Sequence, residues 1–200
     1  VADSLAALQA AADSFAASDD SPIAKPSQQD MGVFNAATNG VILPIVVAND
    51  KMEVTFSTLG GHVDKVVLAD YKTYDQRPLE LITPGDDNLD LAFSTIDNRN
   101  VNTRLLVFQP FVDNAPWSSS DTISLANDDS VTISFRAILD SGDRYLEYVY
   151  TLYGGSYEVD FDINFVGIGD MIRTTNYLDL LWHNRMQRQE KVSDGNRGRG

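Results

Sequence analysis

The sequence predicts an all-β protein, an antiparallel sandwich of two sheets preceded by a short N-terminal helix and linker. From residue 41 onward, apolar and polar residues alternate with the period of a half-buried strand. Clusters of Gly, Asp, Asn and Pro separate these runs at the intervals at which hairpin turns occur. One further run is aromatic or aliphatic at nearly every position. Such a run indicates a strand covered on both faces, and therefore two stacked sheets.

The composition narrows the class of protein before any motif is considered. The chain has 200 residues, with 15 Lys and Arg against 29 Asp and Glu, and a net charge of −14. Since this charge repels phosphate backbones, nucleic acid is not an expected partner. The absence of cysteine excludes disulfides, thiolate metal sites and cysteine nucleophiles. Hydrophobic residues make up 43% of the chain, enough to form a core.

Residues 1–40 predict an alanine-rich helix followed by a flexible tether. Asp3 or Ser4 can cap a helix that reaches about Ala17. The run 18–30 is polar and contains two prolines, which is typical of a linker. The sequence starts without Met and without a signal-peptide pattern, so we expect it to be a piece of a longer protein.

The strands of the sandwich are predicted within residues 41–191. Alternation is clearest in 52–56, in 131–135 and in 157–165, where the polar positions are mostly acidic. The last of these should have one apolar face and one wet face. The run 144–153 is the one that predicts cover on both faces. The turns that precede and follow 131–135 favour a meander in which consecutive strands are neighbours.

The C-terminal part reverses the sign of the charge. Residues 173–200 hold six basic and three acidic side chains, and 192–200 are expected to be a frayed end where the parent chain was cut. The segment around Trp182 has two interpretations. It is either one more strand, or an amphipathic helix that contacts a lipid surface or a partner groove. The candidate contact residues are Leu181, Trp182, Arg185, Met186, Arg188 and Lys191.

No catalytic, cofactor-binding or metal-binding residues are predicted. His62 and His183 are the two histidines, and the acidic turns 86–90 and 127–129 lack the glycine and terminal Glu of a calcium loop. The pair Gly60-Gly61 lies between two strands, whereas a phosphate-binding loop precedes a helix. The longest apolar run, 41–48, is too short to cross a membrane. We therefore expect a protein that is not an enzyme, without a cofactor.

One alternative is a carbohydrate-binding or mutarotase-like β-sandwich. It requires His62 or His183 to converge with a carboxylate in an aromatic-lined cleft. The candidate carboxylates are Glu147, Glu158 and Asp160. A secreted adhesin-like domain is a further alternative, because a fold by itself does not determine a function.

Six short segments of the chain occur in a characteristic order. They are a strand ending in Ser-Thr-x-Gly-Gly, a strand Val-x-Lys-Val-x-Leu, a Tyr-Lys-Thr-Tyr stretch, a Pro-Leu pair, a Leu-Trp pair and a late Glu-Lys. They occupy residues 49–61, 63–68, 71–75, 78–79, 181–182 and 189–191. In this order and spacing they resemble the periplasmic domain of YidC-type membrane protein insertases, and the resemblance covers residues 41–191.

The resemblance implies a fold, a location and a role. The fold would be a β-supersandwich similar to galactose-mutarotase-like proteins. The domain would lie on the periplasmic side of the bacterial inner membrane, with residues 1–40 as its tether, in a multi-pass parent protein. It would be a scaffold or docking module, with membrane protein substrates and the Sec translocon as partners of the parent. Because domains of this family continue with further strands, exposed sheet edges predict a dimer.

Overall fold

The computed structural model of the protein describes residues 30–85, 87–139, 142–173 and 178–184. Within these ranges the chain forms thirteen strands and two 3₁₀ helices, Gly32–Thr38 and Thr103–Leu105. In chain order the strands are β1 (Pro44–Ala48), β2 (Met52–Ser57), β3 (His62–Lys72), β4 (Pro78–Ile82), β5 (Asp87–Ser94), β6 (Asn100–Asn102), β7 (Gln109–Val112), β8 (Ala115–Pro116), β9 (Ile123–Ser124), β10 (Ser130–Ile138), β11 (Tyr145–Tyr153), β12 (Val159–Val166) and β13 (Asp179–Asn184). None of the helices in these ranges is long and apolar enough to span a bilayer.

The strands form three sheets. The first sheet has the order β4-β3-β2-β1-β9, the second β12-β11-β10-β7-β8, and the third β13-β5-β6. The strand pairs are antiparallel except for the short parallel pairing of β9 with β1. The prediction of an all-β antiparallel sandwich is confirmed. The third, smaller sheet was not predicted.

Much of the core lies between the first and second sheets, and the third sheet adds Leu91, Phe93 and Val101 to it. Alternation in β2 directs Met52, Val54 and Phe56 inward, and all three are buried. The Phe56 ring lies 5.7 Å from the Phe135 ring of β10 and 4.9 Å from the Tyr150 ring of β11. Burying such a side chain contributes roughly 1.5–3 kcal/mol. These tilted ring contacts join the two sheets.

The strands β10, β11 and β12 form the predicted meander, in which each strand pairs with the next in regular antiparallel register. On β11, Leu146, Tyr148, Tyr150 and Leu152 are buried against the core. The opposite face of β11 is covered only in part, because Glu147 is buried whereas Tyr153 is 37% exposed. The prediction that both faces are covered is therefore correct for the inner face and only partly so for the outer face.

Residues 30–40 differ from the predicted tether. Met31, Phe34 and Ala37 are buried, and the Phe34 ring lies 5.3 Å from the Phe93 ring of β5. In a 3₁₀ helix, side chains three residues apart lie on the same face, so this spacing gives the segment an apolar stripe. That stripe packs against the sandwich. The predicted helix of residues 4–17 lies outside the described residues, as does the linker as far as residue 29.

Leu181 and Trp182 belong to β13, which pairs with β5. The amphipathic-helix interpretation is therefore wrong for residues 179–184, where the alternative of one more strand is correct. In this pairing Trp182 lies opposite Leu89, and Leu181 opposite Asp90. The hydrogen bonds to β5 determine the local conformation, which apolar periodicity in so short a segment could not decide.

Candidate functional site

An apolar cleft of about 630 Å³ opens where edges of the three sheets approach one another. Its floor is formed by the inner faces of β2 and β3, including Val54, Val66 and Leu68. Strand β12 forms one wall with Val159 and Phe161. The opposite side is formed by β4 and by β13. The cleft thus draws on strands from all three sheets, which are far apart in the sequence.

The floor and the β12 wall follow from strand alternation. Val54 of β2 and Val66 of β3 are partners in register, so both side chains project from the same face of the first sheet. Phe161 of β12 stacks on Tyr150 of β11, with the ring centroids 4.7 Å apart. This stacking holds the face of β12 that carries Phe161 in an orientation in which it lines the cleft. The apolar lining of the cleft is therefore continuous with the hydrophobic core.

One end of the cleft is closed by a polar link between the first and second sheets. The Tyr157 hydroxyl donates to Asp70 Oδ2 over 3.4 Å, and Lys51 Nζ lies 3.4 Å from the same oxygen. The Tyr71 and Tyr157 rings are 6.3 Å apart. Partial desolvation and the Asp70 carboxylate raise the pKa of Tyr157, and the hydrogen bond to Asp70 raises the pKa of Lys51. Tyr157 is therefore neutral and Lys51 charged at physiological pH.

The rim of the cleft exposes large apolar side chains to water. Trp182 is 68% exposed, and Leu81 and Leu180 are about half exposed. Isolated surface apolar residues are common, but a group of them around an apolar cleft marks an interaction surface. Trp and Tyr are also the side chains that most often anchor binding partners. The rim is therefore the best candidate for a functional site in the described part of the chain.

A second cluster lies on the outer face of the second sheet. Arg136 Nε donates to Glu147 Oε1 over 2.7 Å, and its guanidinium carbon lies 4.2 Å from the centre of the Phe111 ring. Asn164 donates to the other Glu147 oxygen over 3.1 Å. Because these groups satisfy one another, the cluster joins the strands of the sheet and offers little to a ligand.

The residues required by the carbohydrate alternative do not meet in the cleft. Glu147 is engaged by Arg136 on the outer face, and Asp160 accepts a hydrogen bond of 2.6 Å from Tyr153. His183 is exposed on β13, and His62 begins β3 at the turn from β2. Among the described residues that line the cleft, none is a histidine or a carboxylate.

Of the predicted contact residues, Trp182 lines the cleft and Leu181 lies beside it on β13, half exposed. Arg185, Met186, Arg188 and Lys191 lie outside the described residues. The sequence analysis missed the other rim residues, Tyr71, Tyr157 and Leu81. The two tyrosines could have been noticed in the sequence as residues at strand ends. Tyr157 begins the predicted strand 157–165, and Tyr71 follows the strand segment 63–68 by three residues. Nothing in the sequence indicated that these strand ends meet.

The fold and the cleft together define an all-β sandwich domain with an aromatic-rimmed apolar groove between its sheet edges. The model of the YidC periplasmic domain family matches residues 44–196 of the chain. The chain therefore belongs to the YidC periplasmic domain family, as the ordered segments predicted. It lies on the periplasmic side of the bacterial inner membrane.

Curated relatives agree with this assignment. The chain is 33% identical over 161 residues to a membrane protein insertase YidC of Porphyromonas gingivalis, covering 80% of this chain and 23% of the relative. It is 33% identical over 174 residues to the protein of that name from Parabacteroides distasonis, covering 86% and 25%. A third, from Amoebophilus asiaticus, is 31% identical over 161 residues, covering 80% and 25%. The chain thus spans about a quarter of the length of these relatives.

Proposed function

We propose that this domain is a non-catalytic docking module of a membrane protein insertase. In this proposal the cleft holds an apolar stretch of a membrane protein substrate while the parent protein supports its insertion and folding. The observation that carries the proposal is the apolar cleft with Trp182, Leu180 and Leu81 exposed at its rim. The relatives' name, membrane protein insertase, supplies the substrate class.

The chemistry of the cleft supports binding without catalysis. Its volume lies within the range of small-ligand pockets, and its lining is aliphatic or aromatic. Two of the three tyrosines that line the cleft use their hydroxyls in structural bonds: Tyr150 donates to the Gly61 carbonyl over 2.9 Å, and Tyr157 donates to Asp70. Apolar contact is what a membrane-spanning segment needs while it is exposed to water.

The expected affinity is low. Each apolar side chain that enters the cleft contributes roughly 1.5–3 kcal/mol, and association costs on the order of 4–15 kcal/mol. A few side chains therefore leave only a small net free energy of binding. Weak binding suits a module that releases its substrate to the rest of the parent protein. As the resemblance implies, we also propose that the parent acts with the Sec translocon.

Site-specific photo-crosslinking in the full-length parent tests this proposal. A photoreactive phenylalanine analogue at position 182 should crosslink to a membrane protein under insertion. The matched control is position 96, because Ile96 is 62% exposed in the turn after β5, at the end of that strand away from the cleft. Equal crosslinking at the two positions, or none at position 182, would contradict the proposal.

A further inference from the structure

We infer that Asn39 is a site of spontaneous deamidation, and that the reaction is controlled by release of residues 30–40 from the sandwich. The sequence contains a single Asn-Gly pair, at 39–40. Asparagine is a thermolabile residue, and a following glycine favours its deamidation because glycine has no side chain to hinder the attacking amide. The inference does not depend on the proposed docking function, and the pair does not line the cleft.

The Asn-Gly pair lies between the first 3₁₀ helix and β1, outside regular secondary structure, and both residues are exposed. The Asn39 side chain makes a long hydrogen bond, from Nδ2 to Thr38 Oγ1 over 3.4 Å. Among the described residues, no backbone hydrogen bond uses the Gly40 amide. The two reacting groups, the Asn39 carboxamide and the Gly40 nitrogen, are therefore not held by strong bonds of their own.

The glycine at position 40 is required by packing. A Cβ at this position would lie 2.6 Å from Val107 Cγ1, a distance at which the two atoms overlap. Val107 is held in place, because its amide donates to the Ala37 carbonyl and the residue forms a β-bridge with Leu59. A larger residue after Asn39 would slow deamidation, but the close approach of Val107 excludes it.

The reaction needs no enzyme and uses only water as a second reactant. The Gly40 nitrogen attacks Cγ of Asn39 and forms an N–Cγ bond. The Cγ–Nδ2 bond breaks, and Nδ2 takes the displaced N–H proton through water and leaves as ammonia. Water then opens the succinimide ring. Cleavage between the nitrogen and Cγ gives aspartate, whereas cleavage between the nitrogen and the main-chain carbonyl carbon gives isoaspartate, whose backbone runs through Cβ and Cγ.

The folded conformation at Asn39 holds the reacting atoms apart. Its ψ of 132° is extended, whereas ring closure requires Cβ and the Gly40 nitrogen to be nearly eclipsed about the Cα–C bond. The carbonyls on both sides, those of Ala37 and Val41, accept hydrogen bonds from the body of the domain. Rotation at Asn39 therefore requires residues 30–40 to detach locally, and this opening sets the rate of deamidation.

Isoaspartate at position 39 prevents the segment from packing again as before. It lengthens the main chain by one atom between Ala37 and Val41, whose carbonyls are both bonded to the sandwich. The buried stripe that includes Met31 and Phe34 and the start of β1 can then no longer keep all their present contacts. Deamidation is thus a one-way release of residues 30–40.

Peptide mapping by mass spectrometry tests the site in the 200-residue chain, kept in warm, mildly alkaline buffer. Asn39 should deamidate at least fivefold faster than Asn98, an exposed turn residue that is followed by arginine. A synthetic peptide of residues 35–44 gives the rate without tertiary structure and should react at least tenfold faster than the folded chain. A rate at Asn39 no higher than that at Asn98 would overturn the site. Equal rates in the peptide and the chain would overturn its control by the fold.

Matched variants test the control by residues 30–40. Phe34→Ala removes a buried ring and should accelerate deamidation of Asn39 at least fivefold, whereas Val33→Ala, at a half-exposed position, should stay within twofold. Asp30→Ala removes exposed hydrogen bonds at the start of the segment and should accelerate the reaction about three- to fivefold. Circular dichroism shows which variants fold. Rates in the folded variants no higher than that of Val33→Ala would overturn the inference.

Limited proteolysis tests the consequence of the isoaspartate. Asn39→Asp carries the same charge on a normal backbone, so it separates the effect of charge from that of backbone length. Labelling by an isoaspartyl methyltransferase measures the isoaspartate in the aged chain. The labelled fraction should be cleaved between residues 30 and 40 at least fivefold faster than Asn39→Asp. Equal cleavage of the two would overturn the release of the segment.

Discussion

Two hairpin turns share one five-residue design, Thr-x-Asp-x-Arg, at 73–77 and at 95–99. In each turn, the threonine hydroxyl donates to the aspartate carboxylate. The same hydroxyl accepts from the backbone N–H of the arginine, over 3.2 Å in the first turn and 3.0 Å in the second. The fourth residue is left-handed in both, with φ of 65° and 60°. The repeat was visible in the sequence and was missed, although Thr, Asp and Asn are residues that form side-chain-stabilised turns.

The two turns differ in burial, which predicts unequal costs for the same substitution. Thr95 is 2% exposed, whereas Thr73 is half-buried. Thr95→Val should lower the free energy of unfolding by about 1–3 kcal/mol, because it leaves the backbone N–H of Arg99 without its acceptor at a part-buried hydrogen bond. Thr73→Val should cost less, since water can replace the lost partner. Urea unfolding of both variants checks this, and equal costs would contradict it.

Tyr148 predicts how stability changes at high pH. Its ring is fully buried, and its hydroxyl donates to Thr103 Oγ1 over 2.9 Å. Burial raises its pKa well above the ordinary value of about 10. Above pH 10 the unfolded chain loses this proton while the folded chain keeps it, so stability falls as the pH rises. The slope from one such group is about 1.4 kcal/mol per pH unit.

Urea unfolding between pH 9 and pH 11 measures this slope, and Tyr148→Phe should reduce it. The slope should not vanish, because the pKa values of Tyr153 and Tyr157 are also raised, that of Tyr153 first by its hydrogen bond to Asp160. Loss of the hydroxyl shifts the absolute stability at every pH, so the slope is the informative quantity. An unchanged slope in the variant would contradict the assignment.

At the scale of elements, residues 30–40 act as part of the sandwich. Asp30 forms an ion pair with Arg99 and accepts hydrogen bonds from the Gly32 amide at 3.0 Å and from Asn35 at 2.9 Å. The hydrogen bond from the Gly32 amide is the largest of the effects that lower the pKa of Asp30. The Val107 amide donates to the Ala37 carbonyl over 2.6 Å. The segment is thus fixed at both ends to the body of the domain.

Phe34 and its neighbour Val33 allow a matched test of this packing. Phe34→Ala should lower the free energy of unfolding by about 3–5 kcal/mol, because it leaves a cavity beside Phe93. Val33 is 50% exposed, so Val33→Ala should cost less than about 1 kcal/mol. Limited proteolysis should show faster cleavage before residue 41 only in the Phe34 variant. Similar costs for the two variants would show that the segment does not pack as described.

At the scale of the whole molecule, charge is distributed unevenly along the chain. Residues 41–172 hold 8 basic and 21 acidic side chains, whereas residues 173–200 hold 6 basic and 3 acidic. An acidic sandwich is repelled by anionic headgroups, so the C-terminal part is the part that can approach such a membrane. The contact role of Arg185, Arg188 and Lys191 stays a prediction.

Vesicle binding tests that prediction. The triple variant Arg185→Gln/Arg188→Gln/Lys191→Gln should bind anionic vesicles roughly a hundredfold more weakly than the parent chain at low salt, because each basic residue near the surface contributes about 1 kcal/mol. The control Lys72→Gln/Arg77→Gln/Arg104→Gln removes the same charge from exposed sites of the sandwich. Both should bind zwitterionic vesicles equally weakly. Equal losses in the two triple variants would contradict a specific role for the C-terminal residues.

The sequence predicted those elements whose signal is local. Alternation in 52–56, 131–135 and 157–165 corresponds to β2, β10 and β12, and the turns between the last strands correctly predicted the meander. The 3₁₀ segment was assigned to a tether, because three apolar residues spaced by three are a weak signal among polar neighbours. Trp182 was predicted to be a contact residue, which stays a prediction, but its strand depended on β5, about ninety residues earlier.

The sequence by itself determined the fold class, the order of the strands in the meander and the family, because each depends on patterns of neighbouring residues. The cleft was decided only by the tertiary structure, since its lining comes from strands that are distant in the chain. The same holds for the place of β12 at the end of its sheet among the described strands, because a strand's position in its sheet is a property of the pairing and not of its residues. Alternation shows which face of a strand is buried, but long-range pairing decides what lies beside it.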